Sequence, residues 1–161
     1  MMKHHKIECI FNVYDSIEDL PKQVQKLMLL AQKARKKAYA PYSNFLVGAA
    51  LELDNGELIS GNNQENAAYP SGLCAERTAV FYAHSKWPNQ NILKMAITAG
   101  SLRKTASTPI PPCGSCRQAL VEYEQLQKTP IELYFMGTEG EIIHSKSVEN
   151  ILPWVFDKNM L

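Results

Sequence analysis

The sequence lacks any strong excess of charge of one sign. Its 161 residues include 17 basic and 16 acidic side chains, a formal net charge of +1. Proteins that bind nucleic acid usually carry a basic face, so this balance argues against a nucleic-acid partner. The one dense basic run, at 33–37, lies at the end of a predicted helix, where the helix dipole favours cations. We therefore expect that run to be a solvated helix end.

The sequence also lacks an apolar run long enough to cross a membrane. The first six residues are basic, but no apolar core of a signal peptide follows them. These two absences predict a cytoplasmic protein that contacts no membrane. Apolar residues make up 45% of the chain, enough for one hydrophobic core in one domain.

Cysteine is scarce, and four cysteines in a cytoplasmic chain are more often metal ligands or catalytic groups than disulfide partners. Cys9 stands alone in an alternating segment, which predicts a small apolar side chain on a strand. The others fall in Leu-Cys-Ala-Glu-Arg at 73–77 and Pro-Cys-Gly-Ser-Cys-Arg at 112–117. Catalytic zinc sites use three protein ligands and keep a fourth position for water. We therefore predict a Zn²⁺ site formed by Cys74, Cys113 and Cys116.

Glu76 distinguishes a catalytic zinc site from the other sites that a Cys-x-x-Cys pair can form. Structural zinc sites and thiol redox motifs share that pair, but neither needs a carboxylate beside a ligand. A hydrolytic site needs a group that takes a proton from water and passes it on. A structural site would need a fourth ligand, and His84 lies about 15 Å along the predicted helix from Cys74. The sequence alone does not exclude His144 or Cys9 as the fourth ligand of such a structural site.

Three thiolates create a problem of charge for a catalytic zinc site. Their three negative charges outweigh the two positive charges of zinc, which opposes deprotonation of a bound water. Arg77 follows Cys74 by three residues, a spacing that makes helical neighbours, and Arg117 directly follows Cys116. We predict that both arginines compensate the thiolate charge, with Arg77 as the principal one.

Apolar periodicity predicts strands that alternate with helices. The predicted strands lie at 45–53, 57–60, 92–99, 131–136 and 141–144, and the predicted helices at 20–40, 74–85 and 113–127. A further short strand or extended arm is expected at 7–13. With one hairpin near each end, this order predicts an α/β fold in which helices cover a single mixed sheet. Residues 1–19 are expected to be an N-terminal extension, and 20–161 a single domain.

The two cysteine segments, together with Asn-x-Glu-Asn at 63–66 and Tyr-Ser-Asn-Phe-Leu-Val-Gly-Ala at 42–49, resemble the cytidine deaminase family in its small homotetrameric form. The resemblance covers about Leu20 to Phe156. It implies a three-layer α/β/α sandwich with a mixed sheet of about five strands. It also implies a homotetramer with shared active sites and a nucleoside substrate. Zinc deaminases in general bind the metal through three residues and use a glutamate that is not a ligand as the acid and base.

The resemblance implies a role for each site residue. Glu76 would move protons between water, N3 of the pyrimidine and the departing ammonia. Asn63 and Glu65 would bind the ribose hydroxyls, Phe45 would stack on the base, and Phe156 would enter from a neighbouring subunit. The residues alone favour an ordinary strand core position for Phe45. The implied reaction is zinc-dependent deamination of cytidine or deoxycytidine to uridine or deoxyuridine, in pyrimidine salvage.

Two alternatives and three departures from the family pattern remain at this point. The same motifs fit a blasticidin S deaminase, and a zinc-stabilised binding protein would retain the site for folding alone. Leu46 stands where the family usually has proline, and Trp154 is bulkier than the residue expected there. The N-terminal stretch of about 20 residues is an addition to the family pattern, with no function evident from its sequence.

Overall fold

Six strands and three α-helices build the chain, whose residues 1–161 are all described by a computed structural model. They are β1 Asn12–Tyr14, α1 Lys22–Arg35, β2 Phe45–Leu53, β3 Leu58–Asn62, α2 Ala75–Lys86, β4 Ile92–Ser101, α3 Gly114–Gln127, β5 Glu132–Met136 and β6 Ile142–Ser145. The strands form one sheet in the order β1-β6-β5-β4-β2-β3. Strands β4 and β5 are parallel and the other neighbours antiparallel, so the predicted mixed sheet is confirmed.

The sheet has six strands, whereas about five were expected. The sixth is β1, which lies within the stretch predicted to be an extension and pairs with the edge strand β6. The register pairs are Asn12↔His144, Val13↔Ile143 and Tyr14↔Ile142. The strand or arm expected at 7–13 is a strand only from Asn12, so Cys9, predicted to be a small apolar side chain on a strand, precedes it and is exposed. The open edge of β6 decides where β1 pairs.

The helices lie on both faces of the sheet, which gives the expected three layers. On one face α2 and α3 pack on Leu51, Ile97 and Leu133, which are buried in the larger hydrophobic cluster. On the other face α1 packs on a second cluster that includes Ala50 and Ala96. Successive residues of a strand point to opposite faces, so the central strands β2 and β4 serve both clusters. None of the helices has the length and apolar character needed to cross a membrane.

Helix α1 ends at Arg35, five residues before the predicted end at 40. Beyond the helix, Tyr39 leaves the helical path and pairs with the segment after β3. The amide N–H of Tyr39 donates to Asn63 O at 3.0 Å, and the N–H of Glu65 donates to Tyr39 O at 2.9 Å. These backbone bonds join the segment before β2 to the polar segment after β3, and both segments border the site described below.

Helix α2 can lie close to the sheet because residue 61 in β3 is glycine. A Cβ added at Gly61 would lie 2.6 Å from Ala75 O and 2.7 Å from Ala79 N, closer than real Cβ atoms approach. The first turn of α2 therefore rests on the backbone of β3. This contact fixes where the helix begins, and with it the side chains of the Cys-Ala-Glu-Arg segment.

Candidate metal centre and active site

The three cysteines of the two motifs come together at the start of two helices. Cys74 is the N-cap residue of α2, Cys113 is the N-cap residue of α3, and Cys116 lies in the first turn of α3. Their sulfur atoms all lie within 4.8 Å of one another, and those of Cys74 and Cys113 are 3.8 Å apart. The unpaired N–H groups and the dipole of each helix start favour thiolates, the form that binds a metal.

This spacing fits Zn²⁺. Sulfurs bound to tetrahedral zinc at about 2.3 Å lie about 3.8 Å from one another, close to the separation found for Cys74 and Cys113. The group of possible ligand atoms contains these three sulfurs, without a histidine or carboxylate. His144 and Cys9, the fourth ligands that the sequence left open, are therefore not part of it. Three sulfurs with an open fourth position are the donor set of a catalytic zinc site.

Glu76 lies two residues after Cys74, on the inner side of the first turn of α2. Its side chain is 3% exposed, and its Oε2 atom has no hydrogen-bond partner in the protein. Burial, with a smaller contribution from the negative charge of Cys74, raises the pKa of this carboxyl group. A buried carboxylate oxygen without a partner is costly unless a ligand uses it. Glu76 therefore presents a free oxygen to whatever occupies the site.

Arg77 lies beside the sulfur cluster. Its Nη2 atom donates to Cys74 Sγ at 3.6 Å, and this bond raises the pKa of the guanidinium group. A hydrogen bond from the Cys116 thiol, followed by bonds from Arg77 and Cys113, lowers the pKa of Cys74. The bond to Cys74, together with burial, raises the pKa of Cys116. The guanidinium group thus stabilises negative charge on the cluster.

A cavity of about 770 Å³ opens above the cysteines and Glu76. Its walls come from four parts of the chain: residues 42–47, residues 63–77, the middle of β4, and the loop before α3. Phe45, Asn63 and Glu65, predicted from the sequence, line it together with Glu76. Arg77 is the one basic residue in the lining.

Asn63 holds the beginning of β2 in place. Its Oδ1 atom accepts the N–H of Val47 at 2.8 Å, and its Nδ2 atom donates to Phe45 O at 2.9 Å. The side-chain amide thus continues the hydrogen bonding between β2 and β3 past the last residue of β3. Asn63 is 9% exposed, and each of its two polar atoms has one hydrogen-bonding position left. These bonds fix the backbone on both sides of Leu46 and therefore set the position of the Phe45 side chain.

Glu65 binds the turn that precedes β2. Its Oε2 atom accepts the N–H groups of Tyr42 at 2.9 Å and Ser43 at 3.3 Å, and its Oε1 atom accepts the Ser43 hydroxyl. These bonds, the hydroxyl first, lower the pKa of Glu65. The same hydroxyl oxygen accepts the N–H of Phe45 at 2.9 Å. Ser43 is a site residue that the sequence analysis did not single out, although it lies in the Tyr-Ser-Asn-Phe segment.

Known proteins resemble this chain in sequence. The family model of the cytidine and deoxycytidylate deaminase zinc-binding region matches residues 21–132. Cytidine deaminase of Halalkalibacterium halodurans is 40% identical over 132 residues, which cover 82% of this chain and 92% of that protein. The chain belongs to the cytidine and deoxycytidylate deaminase family. Cytidine deaminase of Sporosarcina psychrophila is 38% identical over 138 residues, covering 86% of this chain and 94% of that protein.

Solved structures of cytidine deaminases have the same fold. The enzyme from Burkholderia pseudomallei matches with a TM-score of 0.71 and 36% identity, over 85% of this chain and 100% of that chain. The enzyme from Mycobacterium tuberculosis matches with a TM-score of 0.65 and 30% identity, over 85% of this chain and 99% of that chain. The predicted α/β fold of the cytidine deaminase family is therefore confirmed.

Arg117 and Phe156 do not line the cavity of their own subunit. Arg117 binds main-chain carbonyls, with Nε donating to Pro112 O at 2.8 Å and Nη1 donating to Ile151 O at 3.0 Å. Its hydrogen bonds therefore support the backbone before Cys113 and do not include a sulfur, so charge compensation by Arg117 stays a prediction. Phe156 is 58% exposed and does not line the cavity of its own subunit.

Proposed function

We propose that the chain is a hydrolytic deaminase of free pyrimidine nucleosides. It converts cytidine or deoxycytidine and water to uridine or deoxyuridine and ammonia. The observation that carries this proposal is Glu76, a buried carboxylate with a free oxygen, beside three sulfurs that fit zinc. A zinc site kept only for folding has no use for such a group, because a buried carboxylate without a partner costs stability.

Cys74, Cys113 and Cys116 would hold the zinc ion. When bound, the ion supplies a Lewis acid that makes a water molecule reactive at neutral pH. Glu76 would take one proton from the attacking water and deliver it to N3 of the base while the water oxygen adds to C4. The same carboxylate then passes the second proton to the exocyclic amine, which leaves as ammonia while the C4=O bond forms. Arg77 keeps the thiolates charged throughout.

The far side of the cavity suits a sugar without a phosphate. Asn63 and Glu65 are held rigidly by the backbone of residues 42–47, and each keeps an open hydrogen-bonding position for a hydroxyl group. Phe45 offers an apolar surface for the base. A nucleotide would bring a phosphate to a cavity that contains the carboxylates of Glu65 and Glu76. Its one cation, Arg77, is engaged with sulfur. We therefore favour nucleosides over nucleotides and polynucleotides.

The test is a spectrophotometric assay with cytidine, deoxycytidine, cytosine, CMP and blasticidin S, each supplied separately. We expect loss of the cytosine absorbance band with the two nucleosides and at least 100-fold lower kcat/KM with cytosine and CMP. Turnover of blasticidin S alone would assign the chain to that second class of deaminase. No turnover of any of the five by protein with a full complement of zinc would leave only a structural site and refute the proposal.

We further propose a homotetramer in which each cavity is completed by Phe156 of a neighbouring subunit. The exposed position of Phe156 supports this proposal. So do the exposed rings of Tyr42 and Tyr69, which line the cavity and meet edge-on with 6.2 Å between their centroids. The test unfolds and refolds together Glu76→Gln, which we expect to be inactive, and Phe156→Ala, which we expect to bind cytidine more weakly, and measures turnover at low cytidine concentration. Mixed oligomers regain activity if the residues act across subunits, whereas a fully active monomer in light scattering would refute shared sites.

We place this reaction in the cytoplasm and in pyrimidine salvage, where it returns nucleosides to the uridine pool. Deletion of the gene in a strain that depends on cytidine as its pyrimidine source tests this placement. Growth on uridine and loss of growth on cytidine is the expected result. Equal growth of the deleted strain on both nucleosides would refute it.

A further inference from the structure

Two features remain outside the proposed function: the N-terminal stretch and the bulky Trp154. The structure brings them together. We propose that residues 5–14, here called the N-terminal arm, hold the C-terminal segment 149–156 in place against α3. The arm would thereby set the position of Phe156. This last consequence rests on the proposed function, in which Phe156 enters a neighbouring cavity.

The arm is attached first to the sheet. Strand β1 pairs with β6, and the Asn12 side chain binds His144 Nδ1 at 3.0 Å. The ring of Tyr134 stacks on the imidazole ring of His144, with 4.3 Å between the ring centroids and an interplanar angle of 6°. His144 Nε2 lies 3.0 Å from a carboxylate oxygen of Glu132. One end of the arm is therefore fixed to a side chain that the core itself holds.

The second attachment joins the arm directly to the C-terminal segment. The N–H of Ile10 donates to Asn150 Oδ1 at 3.2 Å, and Asn150 Nδ2 donates to Ile10 O at 2.9 Å. The side-chain amide thus pairs with the main chain in both directions, as two strands do. Asn150 Nδ2 also donates to Ser145 Oγ at 2.8 Å, which orients the amide from β6. Ile10 and Asn150 are 140 positions apart in the sequence, so the two bonds between them join the two ends of the chain.

The arm and the C-terminal segment also lie next to each other beyond Asn150. Cys9 and Phe11 of the arm line a second cavity, of about 530 Å³, together with Ile151 and Pro153 of the segment. The His5 ring meets the Trp154 ring edge-on at 5.1 Å between centroids. Trp154 has a φ angle of +64°, a conformation that bulky L-residues rarely adopt, and it is 73% exposed, so few other groups of the chain support it. The arm supplies one of its few contacts, the His5 ring.

Helix α3 holds the segment from its other side. Arg117 Nη1 donates to Ile151 O at 3.0 Å, and Gln118 Nε2 donates to Phe156 O at 2.9 Å. Residues 149–156 therefore lie between the arm and the helix that carries Cys116. Without the arm, the segment would keep the bonds to α3 but lose those to Ile10 and the ring contact with His5, and the cavity wall formed by Phe11 would be missing.

Hydrogen exchange measured by mass spectrometry on the full chain tests the proposal. We expect Asn150→Ala, and separately the arm variant His5→Ala with Phe11→Ala, to speed exchange in peptides covering 146–156 by at least fivefold. Peptides from α2 should exchange as in the parent protein. The matched control is His4→Ala, a neighbour for which the structure gives no contact with the segment. Exchange in 146–156 within twofold of the parent in both variants would overturn the proposal.

Kinetics on the same variants separate this inference from the proposed function. If Phe156 completes a neighbouring cavity, a loosened segment should raise KM for cytidine about three- to tenfold and leave kcat within twofold. Faster exchange with unchanged KM and kcat would overturn the consequence for Phe156. A parent protein that turns over no nucleoside would refute the proposed function, and the exchange result would still decide whether the arm holds the segment.

Discussion

Replacement of Glu76 by glutamine separates catalysis from metal binding at this site. The amide has nearly the size and shape of the carboxylate, so the packing of the first turn of α2 is kept. It cannot accept and release a proton at neutral pH. Because burial raises the pKa of Glu76, the neutral amide also removes a charge that the site disfavours. We therefore expect the variant to fold, with a melting temperature equal to or above that of the parent.

The expected loss follows from the number of proton transfers that Glu76 serves. One positioned general acid or base contributes about 10²- to 10⁴-fold to rate. Glu76 acts in two transfers, to N3 and to the amine, so we expect kcat to fall by about 10⁴-fold or more, or about 5 kcal/mol. Zinc content should stay near one ion per chain, because the ligand group consists of three sulfurs and does not include this carboxylate.

The assay pairs cytidine turnover with zinc analysis of the same preparation. Glu52→Gln is the matched control. Glu52 is also buried, at 7% exposed, and it accepts a hydrogen bond from Gln23, away from the cavity. Its turnover and zinc content should equal those of the parent. Turnover by Glu76→Gln within tenfold of the parent, with zinc retained, would refute the role of Glu76 as the proton carrier. Loss of zinc from that variant would refute its separation from the ligand set.

Three further predictions follow from other contacts. Arg77→Gln removes a charged hydrogen bond from the thiolate cluster, so we expect about tenfold lower kcat and faster zinc transfer to a chelator; an unchanged rate and zinc content would contradict this. Ser43→Ala frees Glu65 and the Phe45 N–H, so KM for cytidine should rise several-fold at nearly constant kcat, with Ser60→Ala as the unaffected control. Burial lowers the pKa of His144 below 6.5, so this residue's contribution to stability is complete above pH 6.5 and declines as pH falls towards the lowered value. Urea midpoints at pH 7.5 and 5.5 should therefore differ less in His144→Phe, and an equal pH dependence in both proteins would contradict this.

The chemistry of the site could be predicted from sequence because its key residues are close together along the chain. Cys74, Glu76 and Arg77 lie within one helical turn, and Cys113 and Cys116 within another, so local geometry alone relates their side chains. The alternation of β2 and the turn that follows it were equally local signals. Where the side chains of a site lie within one helical turn, residue type and spacing are enough to predict that they meet.

Other parts of the site depend on contacts between distant segments. Arg117 directly follows a zinc ligand in the sequence, yet its side chain donates to the carbonyls of Pro112 and Ile151. The packing of the C-terminal segment places the Ile151 carbonyl within its reach. Ser43 became a site residue only through Glu65, 22 residues away. Strand β1 formed because β6 offered it an open edge. None of these partners could be identified from periodicity, since hydrogen bonds to main-chain groups leave no pattern in the sequence.

The residue types of the donor set, the carboxylate beside it and the α/β order of elements can be recognised from the sequence, because spacings of two to four positions indicate each local motif. The folded chain brings Cys74 to Cys113 across 39 positions, orients Asn63 and Glu65, and places the two ends of the chain side by side. The difference lies in sequence separation, because a helical turn fixes its own neighbours, whereas contacts across 20 to 140 positions exist only once the sheet has brought their segments together.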